Sequence, residues 1–202
     1  MLKKFTYILL LTTGLVCINN QSFAVEAPDF QQTKQLAEKG DAIAQFNLGL
    51  MYDNGDNVQK DSFKALEWYS KAADQGFVNA QSNLGSMYEN GDGVPLDYKK
   101  AVEYYTKAAN QGDATAQTNL GIMYSNGKGI SQSYQKAEEY FLKAAKQGYG
   151  DAYFNLAVMY GQGKGVQRDF KKADEYMKQG CLHQNKQACE FYAARQKDMQ
   201  SH

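Results

Sequence analysis

The stretch from Asp41 to Gly76, DAIAQFNLGLMYDNGDNVQKDSFKALEWYSKAADQG, decides the fold because the chain repeats it. Residues 77–112 read FVNAQSNLGSMYENGDGVPLDYKKAVEYYTKAANQG, and residues 113–148 read DATAQTNLGIMYSNGKGISQSYQKAEEYFLKAAKQG. A fourth copy begins at Tyr149 and diverges after Tyr176. A fixed period of about 20–50 residues is typical of a solenoid, in which each unit buries its apolar face on its neighbours.

Each unit contains two helical patterns, which we name helix A and helix B. In the first copy Ala44, Leu48 and Tyr52 are four residues apart, so they share one face of helix A. The predicted buried stripe of helix B in this copy comprises Ala65, Trp68, Tyr69, Ala72 and Ala73. Good N-cap residues precede helix B in every copy, namely Asp61, Asp97, Ser133 and Asp169.

Glycine recurs at two places in the unit. Gly49, Gly85 and Gly121 lie inside helix A, where glycine costs about 1 kcal/mol relative to alanine, so their recurrence predicts a close helix crossing. The turn between the helices has two glycines around one variable residue, which predicts a left-handed backbone conformation. Asn57 replaces the second turn glycine in the first copy, and Ala157 replaces the helix glycine in the fourth.

The predicted fold is therefore an all-α solenoid of four helix–turn–helix repeats with a partial unit at each end, ten helices in all. The predicted units are an N-terminal cap helix in 25–40, repeats in 41–76, 77–112, 113–148 and 149–184, and a C-terminal cap helix and tail in 185–202.

Residues 1–24 are predicted to be a secretory signal peptide. Lys3 and Lys4 provide a basic start, the apolar run 5–18 follows, and Ser22 and Ala24 are the small residues of a cleavage site. The apolar run is short for a transmembrane helix, although a retained anchor is the alternative. Cleavage after Ala24 would leave an exported, periplasmic or secreted chain without a membrane span.

Composition argues against several partners. The 22 Lys and Arg balance the 22 Asp and Glu, which gives no electrostatic reason to expect nucleic acid or anionic lipid. The two histidines are His183 and His202. The sequence contains no phosphate-binding loop or metal-ligand cluster, so no cofactor and no metal are predicted. The chain is separately expected to be a monomer.

The pattern A-x-x-x-L-G-x-M-Y-x-x-G-x-G-V-x-x-D-x-x-K-A-x-x-x-Y-x-K-A-A-x-Q-G resembles the Sel-1-like repeat, a relative of the tetratricopeptide repeat. The resemblance covers residues 41–180 and implies a right-handed α/α superhelix in which helix A lines the concave side. It also implies work as an adaptor or scaffold for a protein or peptide partner.

Cys181 and Cys189 remain after signal cleavage, with seven residues between them. They occupy the positions of Ala145 and Tyr153 in the previous copy, which face each other across an antiparallel turn. The spacing is similar to that of the cysteine-rich secreted branch of the family. Export favours a disulfide that staples the C-terminal cap, and two free thiols are the alternative.

Helix A also carries candidate binding residues beside its packing face. An asparagine recurs once per copy, and an amide that both donates and accepts suits main-chain recognition. The alternative is a role in the fold. The predicted row comprises Asn47, Asn83, Asn119 and Asn155, and the variable positions on the same face are Phe46, Ser82, Thr118, Phe154, Leu50, Ser86, Ile122 and Val158.

An enzymatic alternative rests on a single motif. Residues 133–136 read S-Y-Q-K, which matches the S-x-x-K signature of penicillin-recognising enzymes, and β-lactam binding or hydrolysis has been linked to cysteine-rich relatives. The repeat itself accounts for both ends of the motif, since Ser133 is an N-cap and Lys136 matches Lys100. We therefore expect a binding protein, with no catalytic residues, rather than an enzyme.

Overall fold

The computed structural model describes residues 29–200, which form ten α-helices and, within that range, no strand. In chain order these are α1 Phe30–Glu38, α2 Ala42–Asn54, α3 Ser62–Asp74, α4 Val78–Asn90, α5 Tyr98–Asn110, α6 Ala114–Asn126, α7 Tyr134–Ala145, α8 Gly150–Gln162, α9 Phe170–Leu182 and α10 Lys186–Gln200. The predicted count of ten helices is confirmed. The predicted signal peptide, 1–24, lies outside the described residues.

The helices pack as a solenoid. Each helix contacts the helix before it and the helix after it in the chain, and α4 also touches α6. Helices α2, α4, α6 and α8 are the A helices, and α3, α5, α7 and α9 are the B helices. The first helix is a lone B helix and the last is a lone A helix, so the predicted all-α solenoid is confirmed.

The start of every B helix is fixed by the predicted N-cap. The side chains of Asp61, Ser133 and Asp169 each accept a hydrogen bond from the backbone N–H three residues later, and Asp97 accepts from the second and third. A side-chain cap of this kind stabilises a helix by about 1 kcal/mol. The cap residue's own N–H bonds back to helix A, as Asp61 does to the Tyr52 carbonyl at 2.8 Å, which closes the turn.

The turn between the helices uses the left-handed backbone region, as predicted. Gly91 and Gly93 have φ values of 79° and 68°. A Cβ at Gly93 would lie 2.6 Å from the carbonyl oxygen of Ser62, at the start of the preceding B helix. Asn57, which replaces the second glycine in the first turn, has the same left-handed backbone with a φ of 57°.

The predicted close crossing of the two helices is a contact between glycine and an aromatic ring. A Cβ at Gly49 would lie 2.6 Å from the ring of Tyr69, and a Cβ at Gly85 would lie 2.5 Å from that of Tyr105. Phe141 fills the same role against Gly121. The rings are almost completely buried, and burying a large apolar side chain stabilises the fold by about 1.5–3 kcal/mol.

The fourth repeat replaces both members of this contact. Ala157 takes the glycine position, and Met177 takes the position of the ring. Methionine is unbranched and flexible, so it can yield to the added methyl group where a rigid ring cannot. The alanine is therefore tolerated because its partner changes with it.

The predicted stripe of helix B is only partly buried. Trp68, Tyr104 and Tyr140 lie at its edge and are half-buried. Tyr104 stacks on Tyr88 of the same repeat, with ring centroids 5.7 Å apart, and the Lys71 ammonium lies 3.8 Å from the centre of the Trp68 ring. Full burial was wrongly predicted for Trp68, because an aromatic at helical spacing does not reveal whether its outer side is covered.

A disulfide joins the last two helices. Cys181 of α9 and Cys189 of α10 are bonded, with Cα atoms 4.4 Å apart, so the predicted staple of the C-terminal cap is confirmed. Among the described helices, none combines the length and the apolar character needed to cross a membrane.

The glycine–ring contact predicts a large penalty for one methyl group. We expect Gly85→Ala to lower the free energy of unfolding by about 1–3 kcal/mol, because the Tyr105 ring is enclosed and cannot move away. Urea unfolding followed by circular dichroism measures it. Ala157→Gly is the matched control and should cost only the helix propensity of glycine, about 1 kcal/mol. Because alanine itself favours a helix by about 1 kcal/mol over glycine, a urea midpoint for Gly85→Ala above that of the wild type would contradict the contact.

Candidate functional site

The asparagine row lies on the four A helices, and all four side chains are half-buried. Asn83 lies beside the hydroxyl of Tyr69, and Asn119 lies beside that of Tyr105. Asn155 faces no phenol, because Phe141 holds that position, and it donates to the Asp151 carbonyl at 2.8 Å. Three of the four asparagines thus contact a tyrosine hydroxyl or a backbone carbonyl of the solenoid. All four side chains keep part of their surface exposed to solvent.

The two tyrosines beneath the row differ in their hydrogen bonds. The Tyr105 hydroxyl donates to Glu89 Oε2 at 2.9 Å. The Tyr69 hydroxyl makes no hydrogen bond within the described part of the chain, although Asp53 lies beside it at the position equivalent to Glu89. Burial raises the pKa of both phenols, and the neighbouring carboxylate adds to each rise.

The variable positions beside the row have unequal access to solvent. Ser82 and Thr118 are only 9% and 3% exposed. The Ser82 hydroxyl donates to Asp113 Oδ1 at 3.1 Å, and that of Thr118 donates to the Ala114 carbonyl at 2.9 Å. The other six positions, Phe46, Phe154, Leu50, Ser86, Ile122 and Val158, are half-buried.

The apolar variable positions at the two ends of the row, Phe46 with Leu50 and Phe154 with Val158, have different surroundings. Phe46 packs on Phe77 of the next repeat, with ring centroids 5.0 Å apart, and its free surface is correspondingly reduced. Phe154 and Val158 instead line an open groove of about 460 Å³ between α8, α9 and α10. Phe191, which is 62% exposed, lies in the same groove with its ring 6.2 Å from that of Phe154.

A second row, made of glutamines, was missed from the sequence. Gln45, Gln81 and Gln117 are each 5% exposed, and their amide nitrogens donate to carbonyls of the preceding B helix at 3.1–3.4 Å. Their amide oxygens accept from Gln75, Gln111 and Gln147 at 2.7–2.9 Å. The recurrence of glutamine at both positions, 30 residues apart in each copy, is the signal that could have revealed the pairing.

In the fourth repeat, aromatic rings replace the paired glutamines. Tyr153 and His183 occupy the two glutamine positions, and their rings stack with centroids 5.2 Å apart. The imidazole also lies against Gly148, where a Cβ would be 3.0 Å from its Cε1 atom. His183 is thus held by packing, and the described residues contain no group of three or more His, Cys, Asp or Glu that could hold a metal ion.

The S-x-x-K motif adopts the geometry of a helix start. The Ser133 hydroxyl accepts a hydrogen bond from the backbone N–H of Lys136 at 3.3 Å. The Lys136 ammonium lies 5.1 Å from the centre of the Tyr124 ring, in a cation–π contact. Lys64 on Tyr52 and Lys100 on Tyr88 repeat this arrangement. Lys136 therefore makes a packing contact that recurs in the first three repeats.

The paired glutamines predict strong energetic coupling between repeats. Gln81→Ala removes the partner of the Ala73 carbonyl and of Gln111, which costs about 1–3 kcal/mol because buried polar groups are left unsatisfied. In a double-mutant cycle with Gln111→Ala, we expect a coupling energy above about 0.5 kcal/mol. Urea unfolding measures it, and additive losses would show that the pair does not interact.

Comparison with known proteins identifies the repeat. Four consecutive segments, residues 42–77, 78–113, 114–149 and 150–185, match the model of the Sel1 repeat. The chain belongs to the Sel1 repeat family. Its matched segments begin one residue after the boundaries inferred from the sequence. Sel1 repeat proteins are generally protein–protein interaction scaffolds and are typically not enzymes.

Solved structures of Sel1 repeat proteins share the fold. A protective antigen of uropathogenic Escherichia coli strains, which displays an SLR fold, is 39% identical with a TM-score of 0.77, and the match covers 81% of this chain and 35% of the antigen. A Sel1 repeat protein from Oxalobacter formigenes is 33% identical with a TM-score of 0.78, and the match covers 81% of this chain and 65% of that protein.

A more distant match is an immunity protein from Pseudomonas aeruginosa, 27% identical with a TM-score of 0.56; it covers 80% of this chain and 59% of that protein. The Sel1 chain described here thus spans between about a third and two thirds of the length of these relatives. No curated protein matches the sequence significantly.

Proposed function

We propose that this Sel1 repeat chain is an exported scaffold that binds a protein or peptide partner along the face of its A helices. The observation that carries the proposal is the row of four half-buried asparagines, one on each A helix and 36 residues apart in sequence. An amide side chain donates and accepts hydrogen bonds at once, which suits the alternating N–H and C=O groups of a peptide backbone.

The spacing of the row fits an extended ligand. Packed helices lie about 8–10 Å apart, so neighbouring asparagines are separated by that distance if the A helices pack side by side. An extended chain advances about 3.3 Å per residue, and every third residue would therefore meet an asparagine. Four amides would contact a segment of about ten residues.

Selectivity in this proposal comes from the ends of the row. Phe46 and Leu50 provide apolar surface at one end, and Phe154 and Val158 provide it at the other, where the groove with Phe191 adds to it. Exposed apolar surface commonly marks an interaction site. The buried hydroxyls of Ser82 and Thr118 are engaged with the fold, so the centre contributes mainly through its shape and the amides.

Family membership and the disulfide support the remaining parts of the proposal. Scaffold work is general among Sel1 repeat proteins, and the antigen role of the Escherichia coli relative is a property of that much longer protein. Disulfides persist in oxidising compartments, so the Cys181–Cys189 bond supports export, together with the basic and apolar N-terminal sequence.

Removing two amides tests the binding face. We expect Asn83→Ala/Asn119→Ala to weaken binding of a peptide selected from a random phage-displayed library about tenfold to a hundredfold, since each lost hydrogen bond contributes about 0.5–1.5 kcal/mol. Fluorescence anisotropy with the labelled synthetic peptide measures the affinity. The protein is the full chain, expressed with its own N-terminal segment and purified under oxidising conditions.

The matched control is Asn110→Ala, which removes an exposed amide from the end of a B helix. It should leave the affinity unchanged. Far-UV circular dichroism confirms that both variants are folded. Equal binding by the wild type and the double variant would move the site away from the asparagine row.

Export is tested by the mass of the recovered protein. We expect the chain isolated from the periplasm or medium to begin at Val25, and to be two hydrogens lighter than the fully reduced chain because Cys181 and Cys189 are bonded. Intact mass spectrometry before and after reduction measures both. A protein that retains residues 1–24 and stays in the cytoplasm would contradict the proposal.

A further inference from the structure

One buried polar side-chain atom, the hydroxyl oxygen of Tyr69, has no hydrogen-bond partner in the described part of the chain. The Tyr69 side chain is 0% exposed, and its hydroxyl makes no hydrogen bond. An unsatisfied buried hydroxyl costs about 1–3 kcal/mol, because the group loses its bonds to water and gains none. Native proteins contain few such groups, and each one requires an explanation.

Packing does not explain the hydroxyl. Phe141 fills the same position in the third repeat and packs on Gly121 as closely as Tyr69 packs on Gly49. The chain therefore already contains a ring that makes the contact without a hydroxyl. The helix crossing therefore does not require the hydroxyl of Tyr69.

Comparison with the second repeat shows why the hydroxyl is unpartnered. Glu89 reaches Tyr105 at 2.9 Å, whereas Asp53 at the equivalent position is one methylene shorter and does not complete the bond. The third repeat has Ser125 opposite Phe141, so it lacks both the acid and the phenol. Only the first repeat brings a carboxylate and a phenol together without joining them.

The surroundings of the hydroxyl belong to the A-helix face. Asp53 of α2 and Asn83 of α4 lie beside it, and both side chains are half-buried. The Phe46 ring is tilted against the Tyr69 ring with centroids 5.7 Å apart. Burial raises the pKa of Tyr69, so the phenol stays protonated at neutral pH and can donate a hydrogen bond.

We propose that Tyr69, Asp53 and Asn83 form an anchor that binds one backbone unit of an extended peptide segment. The ligand N–H donates to the Asp53 carboxylate, and its C=O accepts from the Tyr69 hydroxyl and the Asn83 amide. In an extended chain the N–H and C=O of one residue point to the same side, so a single residue satisfies both. The neighbouring Phe46 favours an apolar side chain next to that residue.

Access to the anchor requires a small rearrangement. The hydroxyl has essentially no solvent-accessible surface, so an incoming group reaches it by rotation of the Asp53 or Asn83 side chain. This anchor rests on the proposed function and deepens it, since it assigns the strongest backbone contact to the boundary between the first and second repeats.

Two matched substitutions separate the anchor from a structural role. Tyr69→Phe removes an unsatisfied hydroxyl, so its urea midpoint should equal or exceed that of the wild type. Tyr105→Phe removes a satisfied one, so its midpoint should fall. Affinity for a peptide selected from a random phage-displayed library should fall about threefold to tenfold in Tyr69→Phe, the loss of one hydrogen bond, and stay unchanged in Tyr105→Phe.

A third variant installs the arrangement of the second repeat. Asp53→Glu should supply the missing bond to Tyr69, which raises the urea midpoint and weakens peptide binding. All measurements use the full chain, oxidised, with anisotropy for binding and circular dichroism for unfolding.

The outcomes distinguish the anchor from the wider proposal. Peptide binding that depends on Asn119 but is unaffected by Tyr69→Phe overturns the anchor and leaves the proposed function standing. Failure to select any peptide overturns both. A urea midpoint that falls as far in Tyr69→Phe as in Tyr105→Phe shows that the hydroxyl is already satisfied in the fold, and that result also overturns the anchor.

Discussion

The contact between a helix glycine and an aromatic ring is the constraint on which the solenoid depends. Gly85 allows the Tyr105 ring to lie against the backbone of the A helix, at a distance that excludes even a Cβ. The contact fixes the separation of the two helices in the first three repeats, and Ala157 with Met177 takes its place in the fourth. Because each repeat in a solenoid contacts only its neighbours, the same spacing is passed along the array without a central core.

Glutamine pairs provide the corresponding constraint between repeats. Gln81 ties the A helix to the end of the preceding B helix through the Ala73 carbonyl, and Gln111 completes its hydrogen bonds. Hydrogen bonds are directional, so the pairs fix the register that ring packing alone would leave adjustable. Exposed ion pairs such as Glu103–Lys107 contribute little by comparison, because both charges remain in water.

Periodicity made most of this architecture predictable. Helix pairing, N-caps, left-handed turns and the Cys181–Cys189 bond follow from residue types that recur or fall at fixed positions. The glutamine pairing was missed because a polar residue at helical spacing does not reveal its own burial. The half-burial of Trp68 was missed because helical spacing does not show whether the outer side of a ring is covered. Whether Asp53 reaches Tyr69 depends on a single methylene group, which the repeat pattern does not resolve.

Differences among the copies set the first repeat apart from the others, whereas the glycine, ring and glutamine positions that recur form the contacts of the fold. The acid and phenol vary together along the array: Asp53 with Tyr69, Glu89 with Tyr105, and then neither group opposite Phe141. A solenoid can tolerate a locally unfavourable site because its stability is approximately a sum over repeats and their interfaces. The cost of the unsatisfied Tyr69 hydroxyl in the first repeat is therefore offset by the closely packed repeats beside it.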